Sequence, residues 1–189
     1  MESAARYSRV AIFLHWLLVI ALLAQIGFGW FLGDVPRGTP ERTVYVNLHK
    51  STGLLIGLVI LLRLYWRITH RAPALPASMP GWERIFAKWS HVLLYTCMVV
   101  MPASGYIASN FSKYGVNFFN SIKLAPWGMD DAAVYAAFNK THLVTSWLFV
   151  GLIGLHILAA LRHLAAKDGV FQRMWPKRTA YNVGVHRDA

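Results

Sequence analysis

Three stretches of this chain run about the thickness of a bilayer without meeting a charge. They hold 24 residues between Arg9 and Asp34, 24 between Lys88 and Lys113, and 21 between Lys140 and Arg162. A fourth run, Ser51 to Leu62, has 12 uncharged residues, and its apolar character continues past Arg63 through Leu64, Tyr65 and Trp66. A membrane-spanning helix needs about 20 mostly apolar residues. The pattern predicts four transmembrane helices over residues 10–32, 48–67, 88–110 and 141–162, hence an all-α integral membrane four-helix bundle. A soluble bundle would need a polar stripe along every helix. The segment VAIFLHWLLVIALLAQIGFGWFLG has only His15 and Gln25 as clear polar positions. The first run is too long for the apolar part of a signal peptide and lacks a small-residue cleavage site, so it reads as an uncleaved helix. Residues 6–176 read as one membrane domain and 177–189 as a cytoplasmic tail.

The 189 residues carry a net charge of +11, yet only 14% are charged and the mean hydropathy is +0.41. That balance excludes a disordered chain and argues against a nucleic-acid binder, which would be far more polar. Thirteen of the 19 basic residues and four of the eight acids fall on one side of the four spans, giving +9 there and +2 on the other. The positive-inside rule places the richer side, with both termini and the loop 68–87, in the cytoplasm. Pro73, Pro76 and Pro80 make that loop extended. The outer connection 111–140, with Phe118, Phe119, Pro126 and Trp127, is expected to fold over the outer end of the bundle. Trp16, Trp30, Trp66, Trp89 and Trp147 lie near span ends, as interfacial anchors do. The single cysteine, Cys97, excludes an internal disulfide, and the absence of a CxxCH motif excludes covalent c-type haem.

Ionisable residues inside a bilayer are costly and point to function. His15 lies six residues inside Arg9, and His156 lies six residues inside Arg162, so the two match in depth near the inner surface. His49 and His142 match at the outer edge, beside Lys50 and Lys140. His142 and His156 are 14 residues apart, close to four full helical turns, so they share one face about 21 Å apart along the axis. One helix therefore offers an imidazole near each surface, with a partner on another helix at each depth. This arrangement fits two stacked b-type haems, each with two axial histidines: His15 and His156 for the inner, His49 and His142 for the outer. Gly53, Gly57 and Ser146 follow the outer ligands at helical spacing and would let helices part around a porphyrin. Arg6, Arg9, Arg63 and Arg67 inside, and Lys50 and Lys140 outside, are candidate partners for haem propionates. A zinc or copper site would gather ligands at one depth with carboxylates or thiolates. The predicted spans contain no Asp or Glu.

These residues carry a resemblance. RYSRVAIFLHWL, LHKSTGLLIGLVILLRLYWR and KTHLVTSWLFVGLIGLHILAALRHL resemble the bacterial cytochrome b561 family of small di-haem membrane proteins, over about residues 6–176. The resemblance implies that His15, His49, His142 and His156 ligate two haems b in a multi-pass protein of the bacterial inner membrane. It implies electron transfer between ubiquinone and a donor at the outer face, either superoxide or a periplasmic redox protein. Lys50, Lys113, Lys123 and Lys140 would steer an anionic donor, against the opposing charge of Asp130 and Asp131. It also allows a quinone site near the inner haem formed by His91, His163 and Arg63, since a histidine can hydrogen-bond a quinone carbonyl and shuttle its protons. His91 stands as the alternative inner ligand should the depth differ by one turn. His70 and His186 read as solvated. The competing functions are a haem-bearing membrane anchor for a separate dehydrogenase or reductase, and a haem-free transporter or structural protein.

Overall fold

The computed structural model describes residues 6–76 and 79–176. They form four long helices: α1 Arg9–Asp34, α2 Pro40–Thr69, α3 Gly81–Asn110 and α4 Ala132–Ala166. Each is long and apolar enough to cross a membrane. A short hairpin, β1 Val116–Phe118 and β2 Ile122–Leu124, lies between α3 and α4, and a single 3-10 turn, Phe171–Arg173, follows α4.

Every helix outruns its charge-free span, because its caps lie in the polar flanks. Ser8 caps α1 by accepting from the Ala11 amide. Thr39 caps α2 with Pro40 in the first turn, where a missing N–H costs nothing. This carries α2 eight residues ahead of the expected start, through Glu41 and Arg42. Asp131 caps α4 by accepting from the amides of Ala133 and Val134, nine residues ahead of the expected start. The outer connection thereby shrinks, and its centre is the antiparallel hairpin that pairs Val116 with Leu124 and Phe118 with Ile122. Phe119 and Asn120 turn it in left-handed backbone. The hairpin packs on α2: the Ser51 hydroxyl accepts from the Phe119 amide at 2.8 Å, and Lys50 donates to the Gly115 carbonyl at 2.9 Å. The connection thus folds onto the end of the bundle where His49 lies.

Backbone packing is closest for α3 on α4, α1 on α2 and α2 on α3, while α1 and α4 stand apart. The buried apolar core is a middle layer of Leu18, Leu22, Ile60, Met98, Met101 and Phe149, backed by Ile56 and Leu152. The helix sides beyond it are apolar and exposed, as a lipid-facing surface requires.

Both described ends of the chain meet at one end of the bundle. The Tyr7 amide donates to the Arg173 carbonyl, and the Trp16 indole donates to the Met174 carbonyl at 2.8 Å. Arg173 is buried, and its guanidinium donates to the Pro73 and Ala74 carbonyls at 2.8 Å each. It therefore clamps the α2–α3 connection. Charge-assisted hydrogen bonds of this kind contribute about 1.5–3 kcal/mol each. Arg173→Ala is expected to destabilise the protein by about 3 kcal/mol. Unfolding in mixed micelles measures the loss, and limited proteolysis should then cut within 70–76.

Candidate functional site

Histidine placement follows one register through the bundle. His15 and Gly29 on α1, His49 and Arg63 on α2, His91 and Gly105 on α3, and His142 and His156 on α4 are each 14 residues apart. Each pair shares a helix face. The bundle thus has two polar levels, with the apolar core between them.

At one level the His49 and His142 rings face each other, centroids 6.4 Å apart and planes 85° to one another. His142 Nδ1–H donates to the Met101 carbonyl at 2.7 Å, a carbonyl that also accepts from Ser104. That bond fixes the tautomer and leaves the Nε2 lone pair free to bind a metal. Gly105 makes this approach possible, because a Cβ there would stand 2.9 Å from His142 Nδ1. Gly29 does the same for His49, whose Cε1 would lie 3.3 Å from an added Cβ. His49 Nδ1 is buried without a hydrogen-bond partner among the described residues. His49 is held through its backbone: Gln25 Nε2 donates to its carbonyl at 2.8 Å, while Gln25 Oε1 accepts from Thr52 at 2.7 Å. Gln25→Leu is expected to cost about 1 kcal/mol, the usual value of an interhelical polar bond in a membrane bundle, read as a lower unfolding midpoint in mixed micelles.

At the other level His15 and His156 face each other, centroids 6.3 Å apart and planes at 74°. His91 lies beside them, 5.5 Å from the His156 ring, with its Nδ1–H given to the Ala87 carbonyl one turn back. Arg63 donates to the Ala11 carbonyl at 3.3 Å and sits over the Tyr95 ring.

These two pairs fit a haem iron on three counts. Two imidazole nitrogens bound at about 2 Å to one metal put their ring centroids roughly 6 Å apart, the separation seen at both levels. In the first pair His49 Nδ1 has no hydrogen-bond partner and the bond from His142 Nδ1 leaves that ring's Nε2 uncommitted, so both rings have a nitrogen to give. Among the described residues no three His, Cys, Asp or Glu side chains converge on a point suited to a bare metal ion, even at the second level where His91 stands beside the pair.

The remaining sequence candidates divide. His163 lies one helical turn pair beyond His156 and donates its Nδ1–H to Asp168 at 2.5 Å. Asp168 also accepts from the Val170 amide. Burial works against ionisation of Asp168, but the hydrogen bonds from His163 and Val170, with the charges of His163 and Arg162, outweigh it and hold its carboxyl below the usual carboxylate value. This contribution to stability is complete above the ordinary carboxylate pKa and is lost as pH falls through the depressed one. Among the described residues no hydrogen bond or ring contact joins His163 to His91, and the cavity that Arg63 lines includes neither histidine. Arg6 and Arg67 line that cavity too, but Arg9 does not. Lys50 is tied to the hairpin. Gly53 faces Gln25, and Gly57 faces Pro102 within α3, so these two glycines serve helix packing. His70 is exposed just past the end of α2, as the sequence suggested, and stacks on Trp66 with centroids 3.7 Å apart. His186 and the tail 177–189 lie outside the described residues.

Gly29, Gly105, Gln25 and Met101 escaped sequence reasoning. A signal existed for the glycines, since each sits 14 residues from a histidine on its own helix.

The family model for prokaryotic cytochrome b561 matches residues 6–177. Cytochrome b561 homolog 1 of Escherichia coli (strain K12) is 26% identical over 180 residues, covering 92% of this chain and 98% of that protein. Cytochrome b561 homolog 2 of the same organism is 26% identical over 181 residues, covering 95% and 96%. A probable superoxide oxidase, CybB, of Yersinia pestis is 24% identical over 179 residues, covering 92% and 97%.

Proposed function

The chain belongs to the prokaryotic cytochrome b561 family, and from that premise we propose that it is a di-haem membrane electron carrier oxidising superoxide at the outer face and reducing ubiquinone near the inner one. Membership implies haem b. The observation that carries the reading is the pair of opposed histidine couples, at 6.4 and 6.3 Å, at two levels of an apolar bundle. His49 and His142 hold the outer group, and His15 and His156 the inner one. Bound there, the haems supply one-electron oxidation and reduction at the two ends of the bundle. The charge bias supports placing the end of the bundle where Tyr7 and Met174 lie on the cytoplasmic side.

The chain's own residues do the rest. Leu22, Met98 and Phe149 keep the layer between the two levels free of water. Lys113, Lys123 and Lys140 raise the local concentration of an anionic donor. Asp131, which weighed against that attraction, spends its carboxylate on the N-terminus of α4. Two superoxide anions each give up one electron and leave as dioxygen; ubiquinone takes both electrons and two protons to become the quinol. His91 bonds a quinone oxygen, with Arg63 adding positive charge on that side, while His163, two helical turns beyond His156, serves proton transfer rather than the quinone itself. Asp168 accepts the Nδ1–H of His163 and holds that ring in place. The chemistry of the Yersinia relative's name supports the donor.

Asp168→Asn is expected to slow quinol formation about tenfold while leaving haem reduction by the donor unchanged. Stopped-flow traces of haem reduction and of quinol formation would report the two steps separately. The proposal as a whole is tested by anaerobic mixing with superoxide or with quinol. Superoxide should reduce the haems directly and added ubiquinone should reoxidise them. Reduction only through a docked dehydrogenase would instead identify a haem-bearing anchor subunit.

A further inference from the structure

A cavity of about 530 Å³ opens at the end of the bundle where the two described chain ends meet. Arg6, Arg63, Arg67, His70 and Arg71 line it, and no carboxylate does. Arg63 and Arg67 are four residues apart on one face of α2, and Arg71 follows just past its C-terminal cap, His70. Arg63 is engaged by the Ala11 carbonyl, and Arg6 by the Trp175 carbonyl. Arg67 and Arg71 make no hydrogen bond or ion pair among the described residues. The wall between them is rigid: the Trp66 indole donates to Ser8 at 3.1 Å and carries His70 stacked on its face, interplanar angle 7°.

Unpaired like charges repel, so four guanidiniums converging on one cavity need an anion to balance them. Haem propionates cannot account for all four. A haem carries two such groups, and Arg71 lies past the end of α2, beyond its cap His70, where headgroups are met. Exposed arginines alone would satisfy the positive-inside rule without sharing a cavity, whereas basic pockets between helices at this depth take anionic lipid headgroups.

We propose that this cavity is a phosphate-binding site, filled by the headgroup of an anionic phospholipid, with Arg67 and Arg71 as its principal ligands. Trp66 and Tyr7 flank the phosphate at interfacial depth, and Arg63 stays with the histidine level. The site is independent of the electron-transfer reading, since it uses neither the histidine pairs nor the haems.

The test is native mass spectrometry of the full haem-loaded protein from detergent, titrated with phosphatidylglycerol or phosphatidylcholine. The wild type should retain phosphatidylglycerol at least about tenfold better than phosphatidylcholine, and R67Q/R71Q should lose that preference. R67K/R71K should recover part of it, and unchanged haem per chain and melting in the glutamine variant shows that it is folded. Competition by inorganic phosphate at equal concentration would support the phosphate chemistry and assign a soluble source. Equal retention of both lipids, undiminished phosphatidylglycerol binding in R67Q/R71Q, or a fall in haem content in that variant would overturn the proposal. The last result would mean that the arginines serve propionates.

Discussion

His142→Ala is expected to lower bound haem from two per chain to one, with the surviving spectrum that of the inner site. The reason is geometric. His142 is the better-directed half of the outer pair, because its Nδ1–H is committed to the Met101 carbonyl and its Nε2 is thereby free. His49 faces it at 6.4 Å and cannot replace a missing axial ligand from the other side. Gly105→Val should reproduce much of the effect without touching a ligand, since a side chain there would begin 2.9 Å from His142 Nδ1. Haemochrome absorbance per chain measures both variants. Two haems retained in His142→Ala would remove His142 from the outer site.

The second large effect separates two histidines that compete for the inner role. His156→Ala is expected to lose the inner haem and keep the outer, whereas His91→Ala is expected to keep both. His156 faces His15 at 6.3 Å, the same separation as the outer pair. His91 is closer to His156, at 5.5 Å, and spends its Nδ1–H on its own helix. Under the proposed reading His91 would flank the inner haem and bond quinone there. His91→Ala should leave the haem spectrum intact and slow quinone reduction at least about tenfold, as loss of a group that binds the reacting molecule does. If His91→Ala lost a haem and His156→Ala did not, the inner pair would be His15 and His91.

Much of this arrangement was legible in the sequence because a bilayer is a simple solvent. It demands uncharged runs, and their edges are charges that can be counted. The 14-residue spacing of His142 and His156 placed two imidazoles on one face before any neighbour was known. Helix ends were less legible. Pro40 and Asp131 start their helices from polar stretches, where capping rather than hydropathy decides. The partners of the histidines were less legible still. Gly29 and Gly105 matter because of how α1 and α3 are rotated towards His49 and His142, and a single helix does not encode its rotation against its neighbours. Gly53 and Gly57 share His49's face, and the atoms nearest them belong to Gln25 and Pro102, neighbours that spacing alone does not name. Asp168 gains its role from the left-handed Lys167 that ends α4 and swings the chain back towards His163.

The central claim is that two histidine pairs hold two haems in one chain. Its most direct test is haemochrome quantification of the purified wild type against chain mass, with dithionite-reduced spectra of His142→Ala and His156→Ala alongside. The account predicts two b haems per wild-type chain and one in each variant, with α-bands that differ between the variants and sum to the wild-type band. One haem or none in the wild type, or the same surviving band in both variants, would contradict it.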